Sequence, residues 1–266
     1  MNERVVVVNA GKMNYDHLLD FSVLSNDVQV YDDSTNAELI ERIQGASVVV
    51  TKELPVGAEL LSQFPESVKL IVEAGTGYNN IDLDAARAKG ITVCNIPAYS
   101  TERVAHTAIM MILNFASTMQ QQIGMLARGD RSNFTKHLQV PHTEVNGKTL
   151  GVIGAGHIGM AVVKVARALD MNILIHTRTT KEDSDGIRYV SLDELLAQSD
   201  YISLHCPLND KTKHLINKDT IAKMKSNAVI INTGRGGLIK ESDLCEALAA
   251  KRIHGAGLDV QEVEPP

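Results

Sequence analysis

The chain has 266 residues, of which 44% are hydrophobic and 22% charged, and its formal net charge at pH 7 is −6. This length allows a well-buried core and is typical of two domains rather than one. The negative charge disfavours nucleic acid and anionic membranes as main partners, although a small anionic substrate responds to local charge instead.

Cysteine usage and apolar run lengths indicate the compartment. Cys94, Cys206 and Cys245 are odd in number and widely spaced, which favours reduced thiols over a disulfide framework. The amino-terminal apolar run at residues 5–8 is too short for the core of a signal peptide. The most apolar predicted helix, at 104–116, falls well short of the ~20 residues of a membrane span. We expect a cytoplasmic protein.

The first 98 residues alternate short β-branched runs with helical segments. The predicted strands lie at 4–8, 28–31, 47–51, 69–73 and 91–94, with helices at 37–44 and 83–89 between them. This alternation predicts a mainly parallel sheet covered on both faces. We expect a five-stranded, flavodoxin-like first domain over residues 1–98.

The second domain is predicted to cover residues 99–266. It opens with a helix from Thr101 to about residue 122, and a polar loop follows at 128–146. Because this helix is apolar on most faces, we expect it to be buried between the two domains. Predicted strands then lie at 149–153, 172–177, 201–205, 228–232 and 255–259.

The most informative motif is a glycine-rich turn between two of these strands. Gly154, Gly156 and Gly159 form a Gly-x-Gly-x-x-Gly pattern that opens a helix. The first glycine permits a tight turn, the second lets a pyrophosphate approach the backbone, and the third lets the helix pack on the strand. Phosphate charge is received by N–H groups at the helix start. The pattern favours a dinucleotide site over a turn without a ligand.

Further strings accompany this turn in a fixed order, at residues 73–82, 97–101, 203–208, 232–237, 257–260 and 262–265. Together they make the chain similar, from end to end, to the D-isomer-specific 2-hydroxyacid dehydrogenases. The resemblance implies an α/β protein with two doubly wound domains, a flavodoxin-like substrate domain and a Rossmann dinucleotide-binding domain. It implies NAD(P)-dependent reduction of 2-keto acids to D-2-hydroxy acids in the cleft. It also implies a homodimer through the cofactor domain, with residues 128–146 as a contact arm.

Catalytic residues follow from the chemistry and the resemblance together. Spacing alone favours a surface arginine at Arg235, but the resemblance assigns it to the substrate carboxylate and ketone, which a planar guanidinium can hold together. The turn containing Thr76 and Gly77 is either simply tight or a source of N–H donors for the same carboxylate. Glu264 matches a glutamate that orients a catalytic histidine, although a solvated loop acid is the alternative.

Cofactor contacts are implied in the same way. The resemblance assigns backbone N–H donors for the pyrophosphate and residues lining the nucleoside and nicotinamide, namely Gly154, Gly156, His157, Ile158, Gly159, Cys206, Pro207, Thr233 and Asp259. For Asp259, a turn acid at a strand end is the alternative. His205 is interpreted as a packed or cofactor-side histidine rather than a catalytic one. No His/Cys cluster has zinc spacing, so no metal is predicted.

One departure from the family pattern concerns cofactor choice. NAD-preferring members carry an acidic residue after the second strand, where this chain has Thr177 and Arg178. Arg178 can pair with a 2′-phosphate that a carboxylate would repel. The alternative is that Arg178 points into water or stacks on adenine and serves both cofactors alike. We expect NADP(H) to be favoured, with NAD(H) also used.

The other departure concerns the carboxyl end. In the family a catalytic histidine lies on a strand beyond the Glu-Pro pair, whereas this sequence ends at Pro266 and His254 is no substitute. We therefore expect both domains to be incomplete on the carboxyl side. The 266-residue chain alone is expected to bind NAD(P)H but to turn over poorly.

The sequence leaves three alternatives open. The sequence belongs to a longer enzyme, or to a short NAD(P)-binding paralogue without turnover, or to a different α/β enzyme such as a formate or phosphite dehydrogenase relative. Retention of Arg235 and Glu264 favours the first alternative. The string at 99–101 favours the glycerate dehydrogenase/hydroxypyruvate reductase branch.

Overall fold

A computed structural model describes residues 3–179, 181–183 and 186–264. The chain divides into two compact units, Met1–Tyr99 and Ser100–Pro266, and each is built on its own parallel sheet.

The first unit alternates strands and helices as the sequence predicts. Its elements are β1 (Arg4–Val7), β2 (Asp27–Val30), α1 (Asn36–Arg42), β3 (Val48–Thr51), α2 (Ala58–Ser62), β4 (Leu70–Glu73), α3 (Leu83–Ala88) and β5 (Thr92–Asn95). The parallel order β2-β1-β3-β4-β5 is that of flavodoxin-like sheets. The prediction is confirmed, with strand ends displaced by at most one residue.

Both faces of this first sheet are covered. Side chains alternate along β1, so that Val6 belongs to a large apolar cluster on one face and Val5 and Val7 to a smaller one on the other. Thr35 and Glu38 form a capping box that begins α1, which contributes the fully buried Leu39.

The second unit contains a long helical segment and a six-stranded sheet. Its elements are α4 (Thr101–Ser117), α5 (Met119–Ala127), α6 (Ser132–Thr135), β6 (Thr149–Ile153), α7 (His157–Ala168), β7 (Asn172–His176), β8 (Ile187–Tyr189), α8 (Leu192–Gln198), β9 (Tyr201–Leu204), α9 (Lys218–Ile221), β10 (Val229–Asn232), α10 (Glu241–Ala249) and β11 (Gly255–Leu258). The order β8-β7-β6-β9-β10-β11 is the Rossmann order. The Rossmann prediction is confirmed, but β8 was not predicted because its three residues follow a long polar stretch.

The predicted helix from Thr101 to about residue 122 is wrong in its continuity. Thr118 takes a left-handed conformation, with φ +49°, and separates α4 from α5. Polar side chains stabilise the break, because the Ser117 hydroxyl donates to the Leu113 carbonyl at 2.8 Å and the Thr118 hydroxyl donates to the Pro141 carbonyl at 2.6 Å.

Burial of α4 is also one-sided. Ala105, Ala108 and Ile112 are fully buried in the core shared with α7 and the second sheet. On another side of the same helix, however, Met110 is 59% exposed. Among the residues that the structure describes, no helix combines the length and apolarity needed to cross a bilayer.

Candidate active site

The predicted cofactor residues of the second unit collect at one edge of its sheet. In the register of this sheet, Ile153 of β6 pairs with His176 of β7 and with Leu204 of β9, and Asn232 of β10 pairs with Leu204 and with Leu258 of β11. The residues that follow these strands therefore lie side by side at their carboxyl ends. In open α/β sheets ligands bind at this edge, where the strand order reverses between β6 and β9.

Within the glycine-rich turn, two glycines are required by the protein itself. Gly154 has φ +103°, and a Cβ there would lie 2.6 Å from the Cys206 nitrogen. A Cβ on Gly159 would collide with the carbonyl oxygen of Gly154. Gly156 is different, because no atom lies within 4 Å of its added Cβ and its φ of −80° suits any residue. The protein's own packing leaves Gly156 unexplained, whereas a closely approaching ligand explains it.

The start of α7 is equipped to receive an anion. No side chain caps this twelve-residue helix, and the N–H groups of His157 and Ile158 make no hydrogen bond to any described residue. The Gly154 N–H donates to the His176 carbonyl at 2.9 Å, which holds the turn beside the end of β7. Unsatisfied N–H groups and the positive end of the helix dipole favour a pyrophosphate.

A buried hydroxyl lies at the same edge of the sheet. Thr233, which follows β10, is only 8% exposed, and its Oγ1 is buried without a hydrogen-bond partner in the described structure. Leaving a buried hydroxyl unpaired costs about 1–3 kcal/mol. A polar ligand atom beside Thr233 would remove this cost, so the residue fits a dinucleotide site.

The segment after β9 supplies a largely apolar wall. Burial raises the pKa of the Cys206 thiol to about 11, so this thiol is not a nucleophile at neutral pH. Burial lowers the pKa of His205 to about 4, and its Nε2 lies 2.8 Å from the Ser203 hydroxyl. A neutral imidazole paired with Ser203 is compatible with the interpretation of His205 as a packed or cofactor-side histidine rather than a catalytic one. The Pro207 carbonyl accepts the Thr212 hydroxyl at 2.6 Å, which fixes this wall.

Arg235 lies on a loop that one buried amide holds in place. The Asn232 side chain, fully buried at the end of β10, donates to the Arg235 carbonyl at 3.0 Å and accepts the Gly234 N–H at 3.1 Å. The Arg235 side chain is partly buried, and its Nη1 donates to the Gly234 carbonyl at 2.9 Å. Sequence reasoning missed the role of Asn232, although the residue opens the string at 232–237.

The segment after β11 carries the two predicted acids. Asp259 and Glu264 are both exposed, and the Asp259 N–H donates to the Asn232 carbonyl at 3.0 Å. Glu264 accepts the Gln261 N–H at 2.8 Å, which closes a turn. A Cβ on Gly236 would collide with the Gln261 carbonyl, so the Arg235 loop and this segment touch through their backbones. The structure thus brings the predicted Arg235 and Glu264 regions together.

In the first unit, the predicted anion-binding turn follows β4. The Thr76 hydroxyl donates to the Ile96 carbonyl at 3.1 Å, whereas the N–H groups of Thr76 and Gly77 find no partner among the described residues. Lys52, which sequence reasoning missed, lies beside this turn with its Nζ 3.1 Å from a Cβ built on Gly75, and the Glu73 carboxylate lies 3.0 Å from the same point. Free N–H groups in a turn of this kind favour a carboxylate.

The residues predicted to select the cofactor follow β7. Thr177 is partly buried and Arg178 is exposed, one and two residues beyond the strand whose last carbonyl holds the Gly154 turn. An exposed guanidinium can approach a 2′-phosphate without steric rearrangement. In the described part of the chain, no group of three or more His, Cys, Asp or Glu side chains is arranged for a metal ion.

These features define a two-domain nicotinamide-dinucleotide dehydrogenase. They are a Rossmann sheet, a glycine-rich turn with space for a ligand at Gly156, and a separate flavodoxin-like unit. The family model for the D-isomer-specific 2-hydroxyacid dehydrogenase NAD-binding domain matches residues 109–266. The chain therefore belongs to the D-isomer-specific 2-hydroxyacid dehydrogenases, oxidoreductases that transfer a hydride between NAD(P)H and a 2-keto acid.

Individual relatives agree with this assignment. A hydroxypyruvate reductase of Blautia hydrogenotrophica is 39% identical over 232 residues, which span 86% of this chain and 72% of the relative. A glyoxylate reductase structure from Paecilomyes thermophila is 33% identical, with a TM-score of 0.87, over 100% of this chain and 83% of that one. A D-lactate dehydrogenase structure from Aquifex aeolicus, solved with NAD and lactic acid, is 32% identical and has a TM-score of 0.88. The match covers 97% of this chain and 77% of that one.

Proposed function

We propose that this dehydrogenase reduces small 2-keto acids of the hydroxypyruvate or glyoxylate type to the corresponding 2-hydroxy acids. The observation that carries the proposal is the contact between the Arg235 loop and the segment bearing Glu264, at the strand edge that also carries Gly156. A cation for the substrate and a carboxylate that would orient the proton donor thus lie at the same strand edge as the cofactor turn. The names of the similar reductases support the choice of substrate class.

Arg235 is proposed to bind the substrate carboxylate and to polarise the ketone. Its guanidinium can donate two parallel hydrogen bonds, and positive charge at the ketone oxygen stabilises the alkoxide that develops as hydride arrives. The N–H groups of Thr76 and Gly77 are proposed as further donors to the carboxylate. The bound nicotinamide cofactor supplies the hydride.

Glu264 is proposed to orient a histidine that donates the proton, and to favour the protonated form of that imidazole. It does not itself transfer a proton. Asp259 is proposed to lie at the nicotinamide side of the cofactor, because it extends β11 at the same edge as Thr233.

The remaining cofactor contacts follow the geometry of the turn. The N–H groups of His157 and Ile158 would bind the pyrophosphate, with Gly154, Gly156 and Gly159 allowing its approach. Cys206, Pro207 and Thr233 would line the nucleoside and nicotinamide pockets, where the unpaired Thr233 hydroxyl gains a partner.

NADPH is proposed to be used at least as well as NADH. Arg178 offers a charge for the 2′-phosphate, and Thr177 offers a hydroxyl, where a carboxylate would repel that phosphate. Reduced cysteines and nicotinamide chemistry also make the cytoplasm the proposed location.

A homodimer is proposed through the second unit. Helix α5 and the arm at 128–146 are tied together, because the Asn133 side chain donates to Gln122 Oε1 at 3.2 Å. Both carry exposed apolar side chains, including Ile123 and Phe134, which are 58% and 75% exposed. An exposed apolar surface of this kind is typical of an interface between subunits.

The proposal is tested by assaying the full gene product with a panel of 2-keto acids, each with NADH and with NADPH. We expect cofactor oxidation with hydroxypyruvate or glyoxylate, and its loss in Arg235→Lys. Tight NAD(P)H binding without reduction of any 2-keto acid would overturn it.

A further inference from the structure

Glu262 connects two elements that flank the proposed active site. Its carboxylate accepts a hydrogen bond from His214 Nε2, at 2.6 Å between that nitrogen and Oε1. The same carboxylate accepts the N–H of Glu241, the first residue of α10, at 3.4 Å, while the Glu262 N–H donates to Glu241 Oε1 at 2.6 Å. Glu262 and Glu241 thus satisfy each other's backbone N–H groups, and His214 donates to the other oxygen of the Glu262 carboxylate.

His214 is in turn fixed to the Arg235 loop. Its backbone N–H donates to the carbonyl of Gly237, two residues beyond Arg235, at 2.8 Å. Its own carbonyl accepts the Asn217 side chain at 2.9 Å, and the residue holds a left-handed φ of +52°. The His214 backbone is therefore fixed to the loop that carries Arg235, and His214 itself belongs to no regular helix or strand.

The segment that Glu262 anchors has little other support. After β11 it contains no regular helix or strand up to Glu264, and Val263 and Glu264 are exposed. Its other described contacts are the Asp259 N–H to the Asn232 carbonyl, the Gln261 N–H to Glu264, and the backbone approach of Gly236. The Gln261 contact closes a turn within the segment, and the Gly236 approach joins the segment to the Arg235 loop at residue 261, whereas only the Glu262 contacts join it to α10 and to His214.

We propose that the His214–Glu262 pair is a positioning element of the active site, which holds the Glu264 segment in register with the Arg235 loop. The inference rests on the proposed roles of Arg235 and Glu264 and names two residues that act through them. Neither residue needs to touch substrate or cofactor. An imidazole fixed to one side of the site and a carboxylate on the other keep Arg235 and Glu264 at a constant separation.

The pair is partly exposed to solvent, with the His214 side chain 31% and the Glu262 side chain 33% exposed, and its chemistry favours the ionised form of the Glu262 carboxyl. The hydrogen bond from His214 is the main cause that lowers the pKa of the Glu262 carboxyl, followed by the N–H of Glu241 and by electrostatic attraction to His214 and then to Lys213. A charge-assisted hydrogen bond of this length is stronger than a neutral one. Because a small displacement of a catalytic group is costly, loss of the pair should lower kcat by about 10- to 100-fold.

The test compares four variants of the full gene product, namely His214→Ala, Glu262→Ala, the double variant and His214→Gln. Glutamine can donate to Glu262 as the imidazole does. Arg188→Ala is the matched control, since it removes an exposed ion pair with Glu194, at 2.7 Å, near the opposite edge of the sheet. The readouts are kcat and KM for keto-acid reduction, NADPH affinity, and amide hydrogen exchange at Asp259 and Glu262.

We expect both single variants to lose kcat, and the double variant to lose no more than either single one, because coupled residues are not additive. The NADPH affinity of these variants should be unchanged, and amide hydrogen exchange at Glu262 should be faster than in the wild-type protein. The kcat of His214→Gln should lie within about threefold of the wild-type value. Additive losses, or kcat values equal to that of Arg188→Ala, would overturn the inference. If His214→Ala does not fold, His214→Phe replaces it, with the same criteria, because phenylalanine has a ring of similar size but cannot donate to Glu262.

Failure of the proposed function gives a different result. In that case the wild-type protein reduces no 2-keto acid, and hydrogen exchange alone decides whether the pair holds the segment. Unchanged exchange at Glu262 in both single variants would then overturn the inference.

Discussion

The carbonyl oxygen of Gly154 occupies the space that a side chain on residue 159 would need. Gly154 is fixed in turn by its φ of +103° and by the backbone of Cys206, so the protein requires both glycines whatever the turn binds. Gly156, between them, has open space where its side chain would begin. This difference within one motif separates the requirements of folding from those of the ligand.

Substituting Gly156 should weaken the binding of the cofactor without lowering the stability of the protein. We expect Gly156→Val to raise the Kd for NADPH by about 10-fold or more, because the added methyl groups occupy the path of the pyrophosphate. Gly57 is a matched control, since it also precedes a helix without a side-chain cap, has the same φ of −80° and has open space around its added Cβ. Titration of NADPH fluorescence and thermal unfolding measure the two effects. An equal Kd for Gly156→Val and Gly57→Val would argue against a dinucleotide at this turn.

Gly159→Ala should behave in the opposite way. Its Cβ meets the Gly154 carbonyl, which is backbone and cannot move without opening the turn. We expect a lower melting temperature, of the kind that overpacking by about 1–3 kcal/mol produces. A stable Gly159→Ala protein that has lost only cofactor affinity would contradict this account.

Arg235→Lys should lose both rate and substrate binding. An ammonium group cannot hold a carboxylate and a ketone oxygen with the two-pronged geometry of a guanidinium. Loss of such a donor costs about 10²–10³ in kcat, and KM should rise as well. Steady-state kinetics measure kcat and KM for the keto acid. NADPH titration is the control, and the Kd for NADPH should be unchanged. Near-normal kcat/KM in this variant would remove Arg235 from the mechanism.

Arg178→Ala should reduce the use of NADPH selectively. The exposed guanidinium pairs with a 2′-phosphate that only NADPH carries, so kcat/KM for NADH should change little. The comparison is the ratio of the two kcat/KM values in the wild-type and variant proteins. An equal loss with both cofactors would indicate stacking on adenine, and a wild-type preference for NADH of about tenfold would reject the NADPH proposal.

His205 should make the protein less stable in mild acid. Its pKa is about 4 when folded, compared with 6.5 for the free side chain, so the unfolded chain binds the proton more readily between these values. The contribution of His205 to the free energy of unfolding is therefore fully present above about pH 6.5. It is lost as the pH drops toward 4, and the loss at pH 5 is about 2 kcal/mol. Urea unfolding at about pH 7.5 and 5 measures this loss, and His205→Gln should reduce it. An equal pH dependence in both proteins would show that His205 does not cause it.

Local patterns were sufficient for most of the fold. The alternation of β-branched runs and helices predicts both parallel sheets, because every strand except β8 is recognisable from its own residues. β8 was missed because three residues at 187–189 carry too little periodicity to stand out. The helix break at Thr118 depends on the Pro141 carbonyl, a partner 23 residues away, so no local pattern reveals it.

The candidate site likewise contains residues that a local motif predicts and residues whose roles depend on distant contacts. Gly154 and Gly159 belong to a contiguous motif, and the reason for each could be predicted from the sequence. The constraint on Gly236 comes from the Gln261 backbone, and the pairing of His214 with Glu262 joins residues 48 positions apart. Such contacts arise only from the tertiary arrangement of β10, β11 and the connections that follow them.

The configuration of the product tests the central claim most directly. The full gene product is incubated with NADPH and hydroxypyruvate, and the glycerate formed is resolved by chiral chromatography. We expect D-glycerate, and its loss in Arg235→Lys. Formation of L-glycerate, or of D-glycerate at an unchanged rate in that variant, would contradict the proposed active site.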